Sequence, residues 1–463
     1  MKIVTTAFPF VPVELGIHHL ASTYIPADIF VRALRMLKKD VVFVSATDFH
    51  SVYASHNGIQ DHELCEKMHN SYLKCYEKMH IRYDYVITTD DPLHFKEARK
   101  AIKNLNKDNL IYEKDSQWIH CNTCNTYLPN SFVKKNEQGD SCILCGKSNL
   151  SFGSSKHAWL QITKCYEIIR KYTEKFTQKD VKKIADHFLE NLSDWDFTRQ
   201  NKFGIPYNES LTLYLWFESL VGYFTLTSNI NLPNFDYVHF LGKNIVYYHS
   251  VVWPVILHSL SEHKNNSFDL SVRGFMKGDS QINLSVEDLC SKYNPDILRL
   301  YCAFKVKDTI QDFSLNELEI SIFKDKFKRG PLNFINRCIG LLNKIECEYV
   351  VPCDEEYKDH INSLFIKDIA ECYCKHRINS ALRKTFKLID YAQKELTKMI
   401  NDDNIIPGRL CFLSIAIATL LSPVVPNISK EILICSHESS ELFLDEINSF
   451  TNSNLKKKAI HIC

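Results

Sequence analysis

The chain has 463 residues, more than one compact hydrophobic core usually holds, so two or three domains are expected. Its 45% hydrophobic and 24% charged residues are typical of globular proteins and exclude a disordered chain. The formal net charge of +1 excludes a strong overall basic field, although a local basic patch for nucleic acid remains compatible with it.

The cysteines and apolar runs indicate the compartment. Most of the 17 cysteines stand singly in apolar stretches, where a reduced thiol behaves as a small buried hydrophobe, so a reducing compartment is expected. Thr5, Thr6, Pro9 and Pro12 break the N-terminal apolar run, which therefore does not resemble a secretory signal. The most apolar stretch, 410–425, is shorter than the ~20 residues that span a bilayer and predicts a buried helix. We therefore expect a cytoplasmic protein without a membrane partner.

Strand and helix patterns alternate in the first half of the chain. Residues 2–6 and 41–47 have the composition of short strands, and residues 25–37 between them have helical apolar spacing. Such a β-α-β unit pairs its strands in parallel and places a ligand at their carboxyl ends, here at Ala46-Thr47-Asp48. The next expected elements are a helix over 61–81 and strands over 83–87 and 237–241.

These patterns predict an α/β domain that is interrupted by a loop-rich, cysteine-bearing insert and followed by a helical domain. From about residue 318 onward the apolar spacing is nearly all helical. The expected segments are 1–116 (first half of the α/β domain), 117–158 (insert), 159–285 (second half), 286–335 (connecting segment) and 336–463 (helical domain).

The insert contains two C-x2-C pairs with metal-ligand spacing. Cys121 with Cys124, and Cys142 with Cys145, are separated by 17 residues. Two such turns can bring four thiolates into the tetrahedral arrangement that Zn²⁺ prefers, and four thiolates leave no open position for chemistry. The sequence therefore predicts a structural zinc site; two disulfides or four incidental thiols are the alternative.

A series of ordered motifs runs along nearly the whole chain. They are Ala7-Phe8-Pro9-Phe10-Val11, Ala27-Asp28-Ile29-Phe30-Val31-Arg32, Ala46-Thr47-Asp48-Phe49-His50, Asp194-Trp195-Asp196 with Arg199, Phe203-Gly204-Ile205-Pro206, Trp216-Phe217-Glu218 through Gly222-Tyr223, and Phe240-Leu241-Gly242-Lys243-Asn244 through His249 and Trp253-Pro254. In the same order they resemble A-L-P-Y-V, A-D-[IV]-x-x-R, G-T-D-E-H, D-W-D-x-x-R, F-G-[IV]-P, W-[FL]-[DE]-A-x-[IV]-G-Y and F-I-G-K-D-I-x-x-F-H…W-P of the methionyl-tRNA synthetases, a family of class I aminoacyl-tRNA synthetases.

The resemblance implies a Rossmann-like catalytic domain, with an all-α domain of the anticodon-binding type behind it. It also implies ATP-dependent activation of methionine or a close analogue, with Mg²⁺, and transfer of the aminoacyl group to tRNA or another acceptor. Asp48 would bind the α-ammonium group, and the thioether pocket would be lined by Phe8, Phe10, Trp216, Tyr223 and His249. Taken singly, these aromatic residues and the histidine are also compatible with ordinary core packing.

The two ATP signatures of class I enzymes are altered. An ungapped match puts Gly16-Ile17-His18-His19 on H-[IL]-G-[HN], which leaves His19 in place and His18 one position away. If the match is functional, His18 and His19 contact the phosphates of ATP. The alternative is that both are surface residues in a loop before a helix. The K-M-S-K-S loop corresponds to 274–280, where Phe275 and Gly278 replace the lysines and Lys277 partly substitutes. Further expected ATP-binding residues are Gly16, Gly242, Asn244 and Met276.

The helical domain also departs from the family. Around 391–395 the chain has Gln393 and Glu395, and no tryptophan follows Trp253, so a base-stacking platform for the anticodon is missing. We therefore expect weakened tRNA recognition. Three functions stay open at this point: tRNA charging, activation for another acceptor, and a pseudoenzyme that binds an amino acid or a partner without ATP chemistry. A monomer is expected.

Overall fold

The computed structural model describes residues 1–56, 59–123, 126–128, 133–134, 139–142, 146–201, 203–228, 235–261, 266–278, 282, 284–344 and 353–434. The strands are β1 (Lys2–Thr6), β2 (Val41–Thr47), β3 (Ser55–His56), β4 (Ile59–Gln60), β5 (Tyr85–Thr88), β6 (Ile111–Cys121), β7 (Thr126–Leu128), β8 (Val133–Lys134), β9 (Ser141–Cys142), β10 (Leu150–Leu160), β11 (Trp195–Asp196), β12 (Thr198–Arg199), β13 (Thr212–Leu213), β14 (Asp236–Gly242) and β15 (Ser267–Arg273).

Helices make up most of the remaining described chain. They are α1 (Ile17–His19), α2 (Ile25–Met36), α3 (His62–Lys78), α4 (Pro92–Lys107), α5 (Tyr166–Thr173), α6 (Lys179–Glu190), α7 (Leu215–Ser228), α8 (Trp253–Leu260), α9 (Val286–Lys292), α10 (Pro295–Lys305), α11 (Glu317–Phe327), α12 (Asn333–Leu342), α13 (Glu355–Ile361), α14 (Lys367–Cys374), α15 (Ile378–Asn401), α16 (Pro407–Leu421) and α17 (Pro426–Ile434). A π-helical turn, Leu20–Tyr24, joins α1 to α2.

The first domain is built on a five-stranded parallel sheet. Its order is β15-β14-β1-β2-β5, and every neighbouring pair is parallel. The strands are rich in Val, Ile and Phe, and all except the edge strand β5 are largely buried, as expected for a sheet covered by helices on each side. The strand order reverses direction beside β1, and open α/β sheets bind ligands at the carboxyl ends of the strands at such a point. The predicted Rossmann-like fold is confirmed.

The insert is less loop-rich than predicted. Strands β6 and β10 each have 11 residues and pair antiparallel along their whole length, from Leu150 opposite Cys121 to Leu160 opposite Ile111. The sequence pattern missed them because their burial alternates irregularly. The expected boundaries at 116/117 and 158/159 fall inside these two strands.

A buried polar network joins the helical domain to the sheet domain. Arg299 on α10 donates to Asp28 of α2 at 2.7 Å and to the carbonyls of Pro423 and Val424. Asp296, also on α10, accepts the first amide groups of α17 through one carboxylate oxygen. Both side chains are fully buried, so this network fixes α17 against the sheet domain.

The predicted helical C-terminal half is confirmed for the residues described. Helix α16 covers most of 410–425 and is almost entirely buried in the helical core, as expected from its apolar sequence. Within the described ranges, no helix combines the length and apolar character needed to cross a bilayer.

Candidate active site

A cavity of about 620 Å³ opens beside the carboxyl end of the central sheet. It is bordered by the segment after β2, the start of α7, the turn after β14 and the β6 strand of the insert. The lining residues are Phe10, His50, Ser51, Val52, Tyr53, Gln117, Trp118, Leu128, His157, Asp196, Arg199, Gln200, Asn201, Tyr214, Leu215, Trp216, Asn244, Ile245 and Tyr248. Three predicted site residues, Phe10, Trp216 and Asn244, are therefore brought together here.

Asp48 lies directly behind this wall. It follows β2 and forms a parallel bridge with Phe10, its amide donating to the Pro9 carbonyl at 2.9 Å. The carboxyl is buried, and its Oδ2 atom lies 2.6 Å from the Ser219 hydroxyl of α7. Among the described residues, Oδ1 has no hydrogen-bond partner. Burial raises the pKa of Asp48 well above its usual range, while the Ser219 hydrogen bond opposes that rise.

Two residues after Asp48, a buried ion pair faces the same cavity. The Nδ1 atom of His50 lies 2.5 Å from Glu218 Oε2, and its Nε2 atom lies 3.4 Å from Asp90. Burial opposes the charged imidazole, but the Glu218 carboxylate and Asp90 together raise the pKa of His50 to about 10. The site therefore holds a fixed imidazolium–carboxylate pair next to Asp48.

Three predicted thioether-pocket residues form one buried cluster. Phe8 packs against Tyr223 with ring centroids 4.7 Å apart, and the Tyr223 hydroxyl lies 2.9 Å from His249 Nε2. The other ring nitrogen, Nδ1, lies 2.9 Å from the Ile245 carbonyl, so Nδ1 carries the proton and Nε2 accepts from Tyr223. Burial lowers the pKa of His249 to about 4, which keeps the ring neutral. These three residues lie behind the cavity wall rather than on it.

Gly222 on α7 allows this cluster to form. A Cβ atom at this position would lie 2.6 Å from Cε2 of Phe8. The missing side chain therefore lets the end of β1 lie directly against the helix.

Aromatic rings shape the cavity itself. Trp216 stacks on Tyr248 at 4.8 Å with an interplanar angle of 8°. Across the cavity, Trp118 of the insert lies over Gly153, where a Cβ atom would come within 2.2 Å of the indole ring. Arg199 stacks on Tyr214 at 3.9 Å. Flat rings with few rotatable bonds make a rigid apolar wall of the kind that suits a thioether side chain.

The predicted phosphate-contacting histidines lie at the start of α1. Gly16 precedes the helix, its amide donates to His19 Nδ1 at 3.2 Å, and the His18 and His19 rings lie 3.8 Å apart. Burial lowers the pKa of both imidazoles, and the neighbouring His18 helps to bring that of His19 to about 4. They do not line the cavity described above.

The second ATP segment is held against the chain that follows α10. The Lys277 amide donates to the Phe313 carbonyl at 2.8 Å, and Met276 forms a parallel bridge with Phe313. Both carboxylate oxygens of Asp312 accept from the Lys243 ammonium group, Oδ1 at 2.6 Å and Oδ2 at 2.8 Å, and Oδ1 also accepts from the Phe275 amide. Lys243 also lies 5.0 Å over the Phe275 ring.

This arrangement places a cation beside the position where the first signature lysine is missing. Gly242, the last residue of β14, lies close to Phe275 and to the Asn244 amide oxygen. The hydrogen bond from Lys243 lowers the pKa of Asp312, and the ammonium group of the exposed Lys277 adds a smaller effect in the same direction. The structure does not describe residues 279–281, which include Asp279.

The predicted zinc ligands are only partly described. Cys124 and Cys145 lie outside the described residues. Cys121 and Cys142 are both buried in one small cluster with Leu128. Gly146 has φ of +71°, which favours glycine, and its amide donates to the Cys142 carbonyl. In the part of the chain that is described, no three His, Cys, Asp or Glu side chains lie close enough to hold a metal ion.

Comparison with known proteins agrees with this arrangement. A sequence model of the family described as tRNA synthetases class I (M) matches residues 2–339, nearly three quarters of the chain. The chain belongs to this family. This chain is 24% identical to the methionine–tRNA ligase of Pyrococcus abyssi over 513 aligned residues, which cover 93% of this chain and 71% of the relative. It is 27% identical to that of Methanobrevibacter smithii, covering 92% and 74%.

Solved structures show the same fold. This chain superposes on Mycobacterium tuberculosis methionyl-tRNA synthetase in complex with methionyl-adenylate with a TM-score of 0.79, at 16% identity, covering 99% of this chain and 98% of the other. The free form of that enzyme gives a TM-score of 0.79 at 17% identity, covering 99% and 96%. The fold, including the helical domain, is therefore that of these proteins.

Several residues of the candidate site escaped the sequence analysis. Ser219, His50 and Glu218 lie inside motifs that the resemblance used, but their contacts join positions about 170 residues apart. Trp118 stands just before the first cysteine pair, and nothing in its local sequence indicates that it faces the cavity. A search for aromatic residues beside the insert's cysteines would have found it.

Proposed function

We propose that the protein activates methionine with ATP and transfers the methionyl group to tRNA. The observation that carries this proposal is the buried Asp48 carboxyl, which leaves one oxygen without a described partner beside an aromatic cavity. A buried polar atom of this kind is costly unless a ligand satisfies it, and an ammonium group is a matching donor. Its family membership and its ligase relatives support the same function and favour catalysis over binding alone.

The amino acid would lie with its ammonium group at Asp48 and its thioether toward Trp216 and Phe10. The cluster of Phe8, Tyr223 and His249 would support the inner wall, since its neutral imidazole and hydroxyl satisfy each other. The substrate carboxylate then attacks the α-phosphorus of ATP, forming the adenylate and releasing pyrophosphate. Sulfur contacts with aromatic edges contribute about 0.3–1.5 kcal/mol each.

ATP would occupy the carboxyl ends of β1 and β14. Class I synthetases use ATP with Mg²⁺, and Gly16, His18 and His19 would contact it from α1, with Gly242, Asn244 and Met276 on the β14 side. Lys277 would stabilise the charge that develops on the transferred phosphates.

For the acceptor, family membership favours tRNA over another group, despite the altered residues of the helical domain. Gln393, at the position expected to read the anticodon, donates its amide to the Gly330 carbonyl at 3.1 Å. We propose that tRNA recognition depends on other surfaces of the helical domain.

For the insert, we propose a structural zinc ion held by Cys121, Cys124, Cys142 and Cys145. The two described thiols are buried in one cluster, and the positive φ of Gly146 and its hydrogen bond to the Cys142 carbonyl suit such a knuckle. We also propose a cytoplasmic location, since buried reduced thiols fit a reducing compartment.

The test is amino-acid-dependent exchange of pyrophosphate into ATP, measured with each proteinogenic amino acid. We expect exchange with methionine above all others. In Asp48→Asn, loss of the charged partner should weaken methionine binding by about 1.5–3 kcal/mol. Selective exchange with a different amino acid, or unchanged methionine affinity in Asp48→Asn, would contradict the proposal.

A further inference from the structure

The Ser219 hydroxyl lies between two oxygen atoms that both accept hydrogen bonds. Its Oγ atom is 2.6 Å from Asp48 Oδ2 and 2.9 Å from the Leu215 carbonyl oxygen, one helical turn earlier. Both distances are those of O–H···O hydrogen bonds. A serine hydroxyl carries a single hydrogen and cannot donate to both oxygens at once.

The Asp48 carboxyl, the Ser219 hydroxyl and the Leu215 carbonyl can form two hydrogen-bond arrangements, which differ in the number of hydrogens they share. When Asp48 carries a proton on Oδ2, it donates to Ser219, and Ser219 donates to Leu215, so both contacts are satisfied. When Asp48 is ionised, the Ser219 hydrogen must turn to Oδ2, and the contact with the Leu215 carbonyl loses its hydrogen. The buried Oδ1 atom, which no described residue contacts by a hydrogen bond, would then be part of an unpaired charge.

Among the described residues, the charged and titratable groups around Asp48 do not supply a free cation. Glu218 and Tyr223 face it from α7, Tyr72 faces it from α3, and His50 lies on its own segment. The positive charge of His50 is directed at Glu218, 2.5 Å away. The empty pocket therefore favours the neutral acid, and an ammonium group entering it reverses that preference.

We propose that Ser219 is a positioning residue whose hydroxyl turns from the Leu215 carbonyl to Asp48 when the α-ammonium group of the substrate binds, so that binding releases a proton from Asp48. The acid loses H⁺ to solvent, the ammonium group keeps its three hydrogens, and no other bond forms or breaks. The family motif that this segment resembles has alanine at this position, so the hydroxyl is a feature of this chain. The inference rests on the proposed function, because it requires an amino-acid ligand at Asp48.

The experiment is titration calorimetry of the full-length protein with methionine, in buffers that differ in ionisation enthalpy. Near pH 7 we expect the buffer dependence to show release of close to one proton per bound methionine. As pH rises past the pKa of Asp48 in the empty pocket, this release should disappear. The matched ligand 4-(methylthio)butanoate, which lacks the amino group, should bind weakly and release no proton.

Three variants separate a positioning role from a packing role. Ser219→Ala removes the donor to the ionised carboxylate, so methionine affinity should fall at least about tenfold and the pH at which release disappears should rise. Ser219→Thr keeps the hydroxyl and should restore both properties. Asp48→Asn cannot titrate and should show no proton release.

Each outcome decides the inference. Methionine binding without proton release in the wild-type protein would overturn it and leave the proposed function standing. A Ser219→Ala variant with lower affinity but an unchanged pH profile would assign Ser219 to packing alone. Absence of methionine binding would overturn both the inference and the proposed function.

Discussion

At the scale of single residues, the proposed binding site contains a buried carboxyl, Asp48, that lowers the stability of the folded protein. Asp48 is buried with one oxygen that no described residue satisfies, and burial raises its pKa. An acid whose pKa is higher in the folded state binds more protons when folded than when unfolded. Stability therefore falls as pH rises above the ordinary value of 3.8, until the folded-state pKa is passed.

Asp48→Asn should therefore stabilise the empty protein while impairing its function. The amide has the same shape but does not ionise, so the Tm difference from wild type should grow as pH rises from 5 to 8, reaching about 1–3 °C. Calorimetry without ligand measures this difference. The same methionine concentration should raise the Tm of the wild-type protein more than that of Asp48→Asn, and a less stable Asp48→Asn protein at pH 8 without ligand would contradict the argument.

In contrast to Asp48→Asn, a substitution that breaks the His50–Glu218 ion pair should destabilise the protein. His50→Gln leaves the Glu218 carboxylate buried without its cation, which costs roughly 3–5 kcal/mol. The pKa of His50 is raised to about 10, so its contribution is complete below its ordinary value of 6.5 and is lost as pH rises through about 10. The difference in Tm between the wild-type protein and His50→Gln should therefore become smaller as pH rises from 6.5 to about 10.

The double variant His50→Gln/Glu218→Gln is the control for this pair. It removes the charge that the single variant leaves unpaired, so it should recover much of the lost stability. A double variant as unstable as the single one would show that packing, not charge, explains the loss.

At the scale of elements, the paired strands β6 and β10 contribute one wall of the cavity. In this wall the Trp118 ring of β6 packs directly on Gly153 of β10. A methyl group at Gly153 would lie 2.2 Å from the Trp118 ring, so Gly153→Ala must displace the indole. We expect a loss of about 1–3 kcal/mol of stability from overpacking, together with a shift in tryptophan fluorescence. Gly340→Ala in α12 is the control, because a Cβ atom there meets no atom within 4 Å. An unchanged spectrum in Gly153→Ala would contradict the placement of Trp118.

At the scale of the whole molecule, the sequence predicted local features better than long-range contacts. The parallel sheet, the helical half and the position of Asp48 at a strand end all follow from patterns within short segments. By contrast, the hydrogen bond between Asp48 and Ser219 depends on how α7 packs against β2. Periodicity contains no information about such packing, and the orientation of Trp118 escaped prediction for the same reason.

The prediction for Tyr223 and His249 shows a related limit. The resemblance implied that both line the thioether pocket, and that role remains a proposal. The structure shows that they hydrogen-bond to each other behind the cavity wall. A side chain on a buried helix can either line a ligand pocket or support the residues that line it. Tertiary packing decides between these roles, so sequence spacing alone could not separate them.

The most direct test of the proposed function is charging of methionine tRNA by the zinc-loaded protein with ATP and radiolabelled methionine. We predict methionyl-tRNA formation that requires both ATP and methionine, at a reduced rate because the signature lysines are replaced at Phe275 and Gly278. Failure to acylate tRNA under conditions in which methionine binds and the protein is folded would contradict the proposed function.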